Sequence, residues 1–289
     1  MGPCVNIDGE MFSPEDAHIS VFDRGFLYGD SVYETMRVYG SRPFKFAEHC
    51  QRLYASGQKI GFHLPWDASL LVSRLVETLE YSGLKDCALR VVATRGAGQL
   101  GLDPAFAANP RLIIYALALP DFPEHLYREG CSLSLTEVKR NIKQALDPQA
   151  KTGNYINNLL ALAEAKASGA DDAIMLDIEG RVAEASTANI FVHLDGCWQT
   201  PPLEVGILGG ITRQTIIQLL QENNIDLRES ILWPEDLVRA EELFLCSSLR
   251  EIVPVAKLGD RVIDKRDKSR AVMELFRLYV ESLAQEPWL

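Results

Sequence analysis

The chain is expected to fold as two mixed α+β units rather than one doubly wound parallel sheet. Three observations predict this. Strand-like and helix-like stretches alternate irregularly along the 289 residues. Glycine turns at Glu179-Gly180 and Asp195-Gly196 would join neighbouring strands directly, as hairpins. Leu119-Pro120-Asp121-Phe122-Pro123 has the proline content of an interdomain connection. The length suits one large or two medium domains. We therefore expect a small N-terminal α/β domain over residues 1–119, a linker over 120–130 and a larger C-terminal domain over 131–289.

In the N-terminal unit, short strands near residues 5–8 and 11–12 meet at Asp8-Gly9, a strong hairpin signal. Residues 31–39 alternate and read as a strand. Helices follow near 46–59 and 67–81. In the first, Ala47, Cys50, Leu53, Tyr54 and Ile60 fall near one helical face. Residues 88–94 and 112–119 are strongly apolar strands. The C-terminal unit should open with a strand near 132–138 and a helix after Lys151. Strands at 172–177, 181–184 and 190–194 continue a sheet. Residues 211–222 make an amphipathic helix with Ile216, Leu219 and Leu220 inward. Strands at 243–247 and 252–257 precede a last helix over 268–283, whose stripe is Val272, Leu275, Phe276, Tyr279 and Leu283.

A formal net charge of −11 argues against nucleic acid or an anionic membrane as an electrostatic partner. The six cysteines are scattered and form no C-x-x-C pair, so reduced, buried thiols in a cytoplasmic protein are expected. The five histidines show no metal-ligand spacing, and no metal is expected. The N-terminus lacks a signal pattern, Asn6 stands where myristoylation needs a hydroxyl, and no apolar run approaches membrane-spanning length.

Gly96-Ala-Gly98-Gln-Leu-Gly101 matches a dinucleotide fingerprint after a strand, but Pro104 and Pro110 leave no room for the helix it requires. A loop bordering a pocket is the better reading. Three other stretches carry chemistry together. Lys151-Thr-Gly-Asn-Tyr155 opens a run of helix formers. Glu184 sits between Ala183 and Ala185 at an uncharged strand end. Gly209-Gly210-Ile211-Thr212 enters a second helix. An amine that forms a Schiff base, a carboxylate that keeps a pyridinium nitrogen protonated and a helix N-terminus that binds phosphate are what pyridoxal 5′-phosphate requires. The N–H groups of Ile211 and Thr212, with the Thr212 hydroxyl, would hold the phosphate. Each stretch alone has a bland reading as a surface lysine, a strand-end glutamate or an ordinary helix cap. Arg52 reads equally as a surface arginine or a phosphate ligand.

Jointly these stretches resemble the class IV aminotransferases, the fold-type IV pyridoxal-phosphate enzymes with the D-amino-acid aminotransferase-like fold. The resemblance runs through Asp23-Arg-Gly-Phe-Leu-Tyr-Gly-Asp-Ser-Val-Tyr-Glu34, Glu48-His49 with Arg52-Leu53, Thr94-Arg-Gly96, the Lys151 segment, Glu184-Ala-Ser with Asn189, Gly209-Gly-Ile-Thr-Arg213, and Glu251-Ile with Pro254-Val255. It implies Lys151 as the Schiff-base lysine and Glu184 as the ring-nitrogen partner, with Arg52, Gly210, Ile211, Thr212 and Ser248 around the phosphate and Tyr155 near the ring oxygen. It makes the C-terminal domain the cofactor-binding one. It also implies a homodimer whose site lies between the domains, closed by the neighbouring subunit, with Tyr28 and the loop 96–102 facing substrate.

The Lys151 segment, Phe26-Leu-Tyr28 and Gly98-x-x-Gly-Leu-Asp-Pro104 look like branched-chain enzymes. Three departures concern substrate. Ala88 replaces a tyrosine two residues before Arg90. Ser247-Ser248-Leu249-Arg250 replaces Gly-Thr-Ala-Ala, and Arg250 could bind a carboxylate in place of Arg90. Thr35 replaces a glycine and matches aminodeoxychorismate lyases. The expected reaction is transfer of an amino group from a branched-chain or other apolar L-amino acid to 2-oxoglutarate. Release of 4-aminobenzoate and pyruvate from aminodeoxychorismate, or D-amino-acid transamination, are the alternatives.

Overall fold

The computed structural model describes residues 2–283. They divide into two compact units, one of residues up to Pro120 together with Ala150–Asn154, the other of Asp121–Gln149 and residues 155–283.

The first unit is a six-stranded antiparallel sheet in the order β2-β1-β6-β5-β3-β4, made of β1 (Cys4–Ile7), β2 (Glu10–Phe12), β3 (Ser31–Tyr39), β4 (Arg42–Pro43), β5 (Cys87–Thr94) and β6 (Arg111–Leu117). The expected hairpin at Asp8-Gly9 forms, with both residues at positive φ (54° and 103°) and Ile7 facing Glu10. Helix α1 (Arg24–Tyr28) starts at Asp23, whose carboxylate accepts from Gly25 N, and stops at Gly29 in the left-handed region. Helices α2 (Phe46–Lys59) and α3 (Ala68–Ser82) cover one face of the sheet. Period-two alternation sends Val32 and Met36 of β3, Leu89 and Val91 of β5, and Ile114 of β6 into a core against Leu53, Leu71 and Leu75. Each such side chain, fully buried, stabilises by about 1.5–3 kcal/mol.

Antiparallel pairing of β5 with β6 removes any dinucleotide site from the glycine run between them. Those glycines let the loop fold on itself instead. A Cβ at Gly98 would collide with the Phe106 carbonyl oxygen, and one at Gly96 with that of Asn109.

The second unit is a nine-stranded mixed sheet. Its order is β12-β11-β10-β13-β14-β7-β8-β9, with β15 paired to β14. The strands are β7 (Cys131–Leu135), β8 (Asp172–Leu176), β9 (Val182–Ala185), β10 (Asn189–Leu194), β11 (Cys197–Thr200), β12 (Leu227–Glu229), β13 (Glu242–Ser247), β14 (Glu251–Leu258) and β15 (Arg261–Val262). The helices are α4 (Glu124–Arg128), α5 (Ile156–Ala167), α6 (Ile211–Glu222), α7 (Pro234–Arg239) and α8 (Asp267–Leu283). Helix α4 lies within the stretch read from sequence as linker. Pro123 fixes its entry, and Leu126 and Tyr127 pack on the unit's core. Strand β7 ends at Leu135, three residues short of the expected 138. Among the described residues no helix is long and apolar enough to cross a membrane.

Candidate active site

In the first unit the Lys151 segment lies along β3 as an extra extended stretch. Lys151 O accepts from Tyr33 N at 3.0 Å, Thr152 bridges Val32, and Gly153 N donates to Ser31 O at 2.9 Å. Lys151 N donates to the Ser56 hydroxyl of α2 at 3.0 Å. A Cβ at Gly153 would collide with Ser31 Oγ, so this close approach needs glycine. The main chain of the lysine is thereby fixed on both sides, and its Nζ lies 4.5 Å from the centre of the Tyr33 ring.

Tyr33, Thr35 and Arg37 point to the face of β3 opposite the helices. Thr35 pairs in register with Arg90 of β5, and the Arg90 guanidinium stacks 4.0 Å from the same Tyr33 ring. One aromatic ring therefore has an amine and a guanidinium against it. Tyr28, at the end of α1, accepts from Gly101 N of the glycine loop at 3.2 Å. Arg24 donates to the carbonyls of Gly101 and Leu102 in that loop and to Asp30, which also binds Arg95.

On the helix face of β3, Arg52 is gripped by Glu34 through Nε to Oε1 at 2.6 Å and Nη2 to Oε2 at 2.8 Å. Glu34 Oε2 also meets His49 Nδ1 at 2.7 Å, and His49 Nε2 is buried with no hydrogen-bond partner among the described residues. Burial would raise the Glu34 pKa, but the Arg52 charge and hydrogen bonds, with His49, outweigh it and bring it down to about 2. Burial lowers that of His49, keeping it neutral against the pull of Glu34.

In the second unit, Glu184 at the end of β9 is buried. Its Oε1 accepts from Arg140 Nε at 2.7 Å, and Oε2 accepts from Leu208 N at 3.0 Å and Asn189 Nδ2 at 3.3 Å. Arg140 also reaches Asn157 Oδ1 on α5 at 3.3 Å. Asn189 donates to Leu208 O as well, which fixes the entry to α6. Gly210 is the N-cap of α6 with no side-chain hydrogen bond to the first amides, and Ile211 and Thr212 follow it, both buried. A Cβ at Gly210 would collide with Asn189 Oδ1. Tyr155 is the N-cap of α5. Ser248 and Leu249 lie in the turn closed by Ser247 and Glu251. In the same turn Arg250 donates to Asp172 Oδ2 at 2.9 Å and Thr187 Oγ1 at 2.7 Å. Asp172 in turn accepts from Ser186 N and Oγ. The Arg250 fork is thus engaged in holding two turns together.

The first unit supplies an amine and a guanidinium. The second supplies a buried carboxylate dressed with donors and a helix N-terminus whose N-cap, Gly210, admits no Cβ. Taken unit by unit, the amine suits an aldehyde, and the buried carboxylate and the helix N-terminus suit a protonated ring nitrogen and a phosphate. Sequence reasoning gave no role to Glu34, His49, Tyr33 or Arg140. Glu34 left one signal, a charge at a position whose period-two neighbours Val32 and Met36 are apolar. Arg140 left none.

The family described as amino-transferase class IV matches residues 31–258. A Methanocaldococcus jannaschii protein provisionally named a branched-chain-amino-acid aminotransferase is 37% identical over 94% of this chain and 93% of its own length. The crystal structure of the Thermoproteus uzoniensis branched-chain aminotransferase with norvaline is 33% identical, covers 99% of this chain and 97% of that one, and superposes with a TM-score of 0.91. A T.th. branched-chain amino acid aminotransferase complexed with N-(5′-phosphopyridoxyl)-L-glutamate is 28% identical with a TM-score of 0.89, covering 99% and 96%. The clamped lysine, the fold and these matches agree, and the chain belongs to the class IV aminotransferases, a family of pyridoxal-phosphate-dependent enzymes.

Proposed function

We propose that this enzyme moves the amino group of a branched-chain or other apolar L-amino acid to 2-oxoglutarate, using pyridoxal 5′-phosphate bound through Lys151. The observation that carries this reading is the Tyr33 ring with Lys151 Nζ at 4.5 Å and Arg90 at 4.0 Å, an amine and a carboxylate-binding cation on one platform. That pairing suits an α-amino or α-keto acid. The named relatives that act on or bind branched-chain-type substrates support the apolar side chain.

When bound, the cofactor supplies an electron sink for the carbon that loses its proton. Lys151 Nζ takes that proton and returns it, the base role open to an amine held by its own main chain. Glu184 is the partner of the ring nitrogen, and Asn189 Nδ2 and Leu208 N orient its Oε2. Ile211 and Thr212 offer amides at the α6 N-terminus to phosphate, and Gly210, Arg52 and Ser248 belong to the same role. Tyr155 serves the ring oxygen. Arg90 takes the substrate carboxylate, since Arg250 is engaged by Asp172 and Thr187. Tyr28, Thr35 and Leu249 shape the substrate pocket.

The working form is a cytoplasmic homodimer. Ile156, Leu159 and Leu160 make an exposed apolar stripe on α5, and Phe22, Phe26, Leu100 and Leu102 are exposed in the first unit. All six cysteines are free thiols, which suits a reducing compartment.

The test is the absorbance spectrum of the purified protein with pyridoxal phosphate, before and after L-leucine, D-alanine or aminodeoxychorismate. Conversion of the cofactor band to the pyridoxamine form by L-leucine supports the reading. Conversion by D-alanine alone, or release of 4-aminobenzoate with no conversion, overturns the substrate. Absence of any cofactor band overturns the whole.

A further inference from the structure

Arg140 has no part in the reaction as described so far, yet its guanidinium is one of the most closely held charges in the second unit. Its side chain is 9% exposed and that of Glu184 6%. Arg140 Nε meets Glu184 Oε1 at 2.7 Å, while Nη1 meets Asn157 Oδ1 at 3.3 Å. Asn157 in turn donates Nδ2 to Lys139 O at 2.8 Å, tying α5 to the backbone beside Arg140. The guanidinium is therefore braced between α5 and the carboxylate. Two further donors to Glu184, Asn189 Nδ2 and Leu208 N, are both neutral. A buried carboxylate that loses a guanidinium and keeps neutral donors gains a proton far more readily than one so paired.

We propose that Arg140 is a positioning residue that keeps Glu184 ionised and aimed for a protonated ring nitrogen. The inference rests on the cofactor reading above. A protonated Glu184 must release its proton before it can face a ring N–H cation. Without Arg140, binding of the cofactor ring is coupled to that loss, so affinity weakens and falls further as pH is lowered. A role for Arg140 in fold alone would move stability without giving the affinity a new pH dependence.

The experiment measures the dissociation constant of pyridoxamine 5′-phosphate, which forms no bond to Lys151, on cofactor-free protein from pH 6 to 9. The parent is compared with Arg140→Lys, Arg140→Met and Arg140→Gln. Arg140→Met should bind at least about tenfold more weakly near pH 7. Its affinity should drop steeply toward pH 6, and Arg140→Lys should recover most of both losses. Arg140→Gln keeps a donor and much of the bulk without the charge, and replaces Arg140→Met if that variant does not fold. A folded neutral variant with the parent's affinity and pH profile overturns the proposal. A parent protein that fails to bind pyridoxamine phosphate overturns the cofactor reading itself, a result distinct from unchanged variants on a binding parent.

Discussion

Glu34 grips Arg52 with both of its oxygens, receiving Nε at 2.6 Å and Nη2 at 2.8 Å, and it does so from the buried face of β3. The first-unit cation proposed for phosphate is therefore oriented by an anion. Glu34→Gln should remove the carboxylate charge that Arg52 and His49 face and cost about 3–5 kcal/mol of stability. It should also loosen pyridoxamine phosphate. A urea midpoint equal to the parent's would contradict this.

The same cluster should make the protein acid-sensitive in two stages. His49 is held neutral by burial, below its ordinary 6.5, so the unfolded chain takes up a proton there that the folded one refuses. Stability should start to fall as pH drops below about 6.5. Glu34 is depressed from 4.5 to about 2, and its contribution is present above 4.5 and lost as pH falls through about 2. Urea midpoints between pH 8 and 3 would show both stages, and His49→Gln should flatten the upper one. A flat upper stage in the parent would refute the assignment to His49.

Gly210→Ala should perturb the entrance to α6 although its φ of −66° suits any residue. The new Cβ would run into Asn189 Oδ1, and Asn189 cannot move without disturbing its bonds to Glu184 and Leu208. We expect a loss of about 1–3 kcal/mol, as for other overpacked sites. Cofactor release on dialysis should quicken. Retention equal to the parent's would mean that Asn189 has another place to go.

Two arginines should separate by what they lose. Arg250→Ala leaves Asp172, 3% exposed, without its charged partner and should cost about 3 kcal/mol or more in stability. Arg90 is exposed on the sheet face, so Arg90→Ala should change stability by less than about 1 kcal/mol while raising KM for the keto acid. If melting curves and kinetics show the reverse pattern, the carboxylate ligand is Arg250.

Burial raises the thiol pKa of Cys87 to about 11 and of Cys131 and Cys246 to about 12. These thiols should resist a disulfide reagent at pH 8 and react only once the chain is unfolded. Rapid labelling of any of the three in the folded protein would count against their placement.

The parts of the site legible in the sequence are those whose chemistry is local. A lysine before Thr-Gly and a helix, a glutamate between alanines, and paired glycines at a helix start each announce themselves within five residues. The hairpins at Asp8-Gly9 and Asp195-Gly196 are legible for the same reason, since both residues of each adopt positive φ. Arg140 and Glu184 lie 44 residues apart, and only the fold makes them partners. The edge strands β4 and β12 were also missed, because two or three residues carry no period. Helix α7 was missed although Trp233-Pro234-Glu235-Asp236 is a legitimate start signal, and Asp236 does return to Trp233 N.

The brief return of residues 150–154 to the first unit has a consequence for how such an enzyme can be taken apart. A cut at Pro120 yields two contiguous fragments, but the strand-like piece bearing Lys151 travels with the wrong half. The sheet that orients it, through Ser31 and Tyr33, stays behind. Neither half could be exchanged with a relative's by simple crossover at that point without building a hybrid clamp around Lys151. Recombination within this fold is therefore constrained by that short segment rather than by the long stretches on either side.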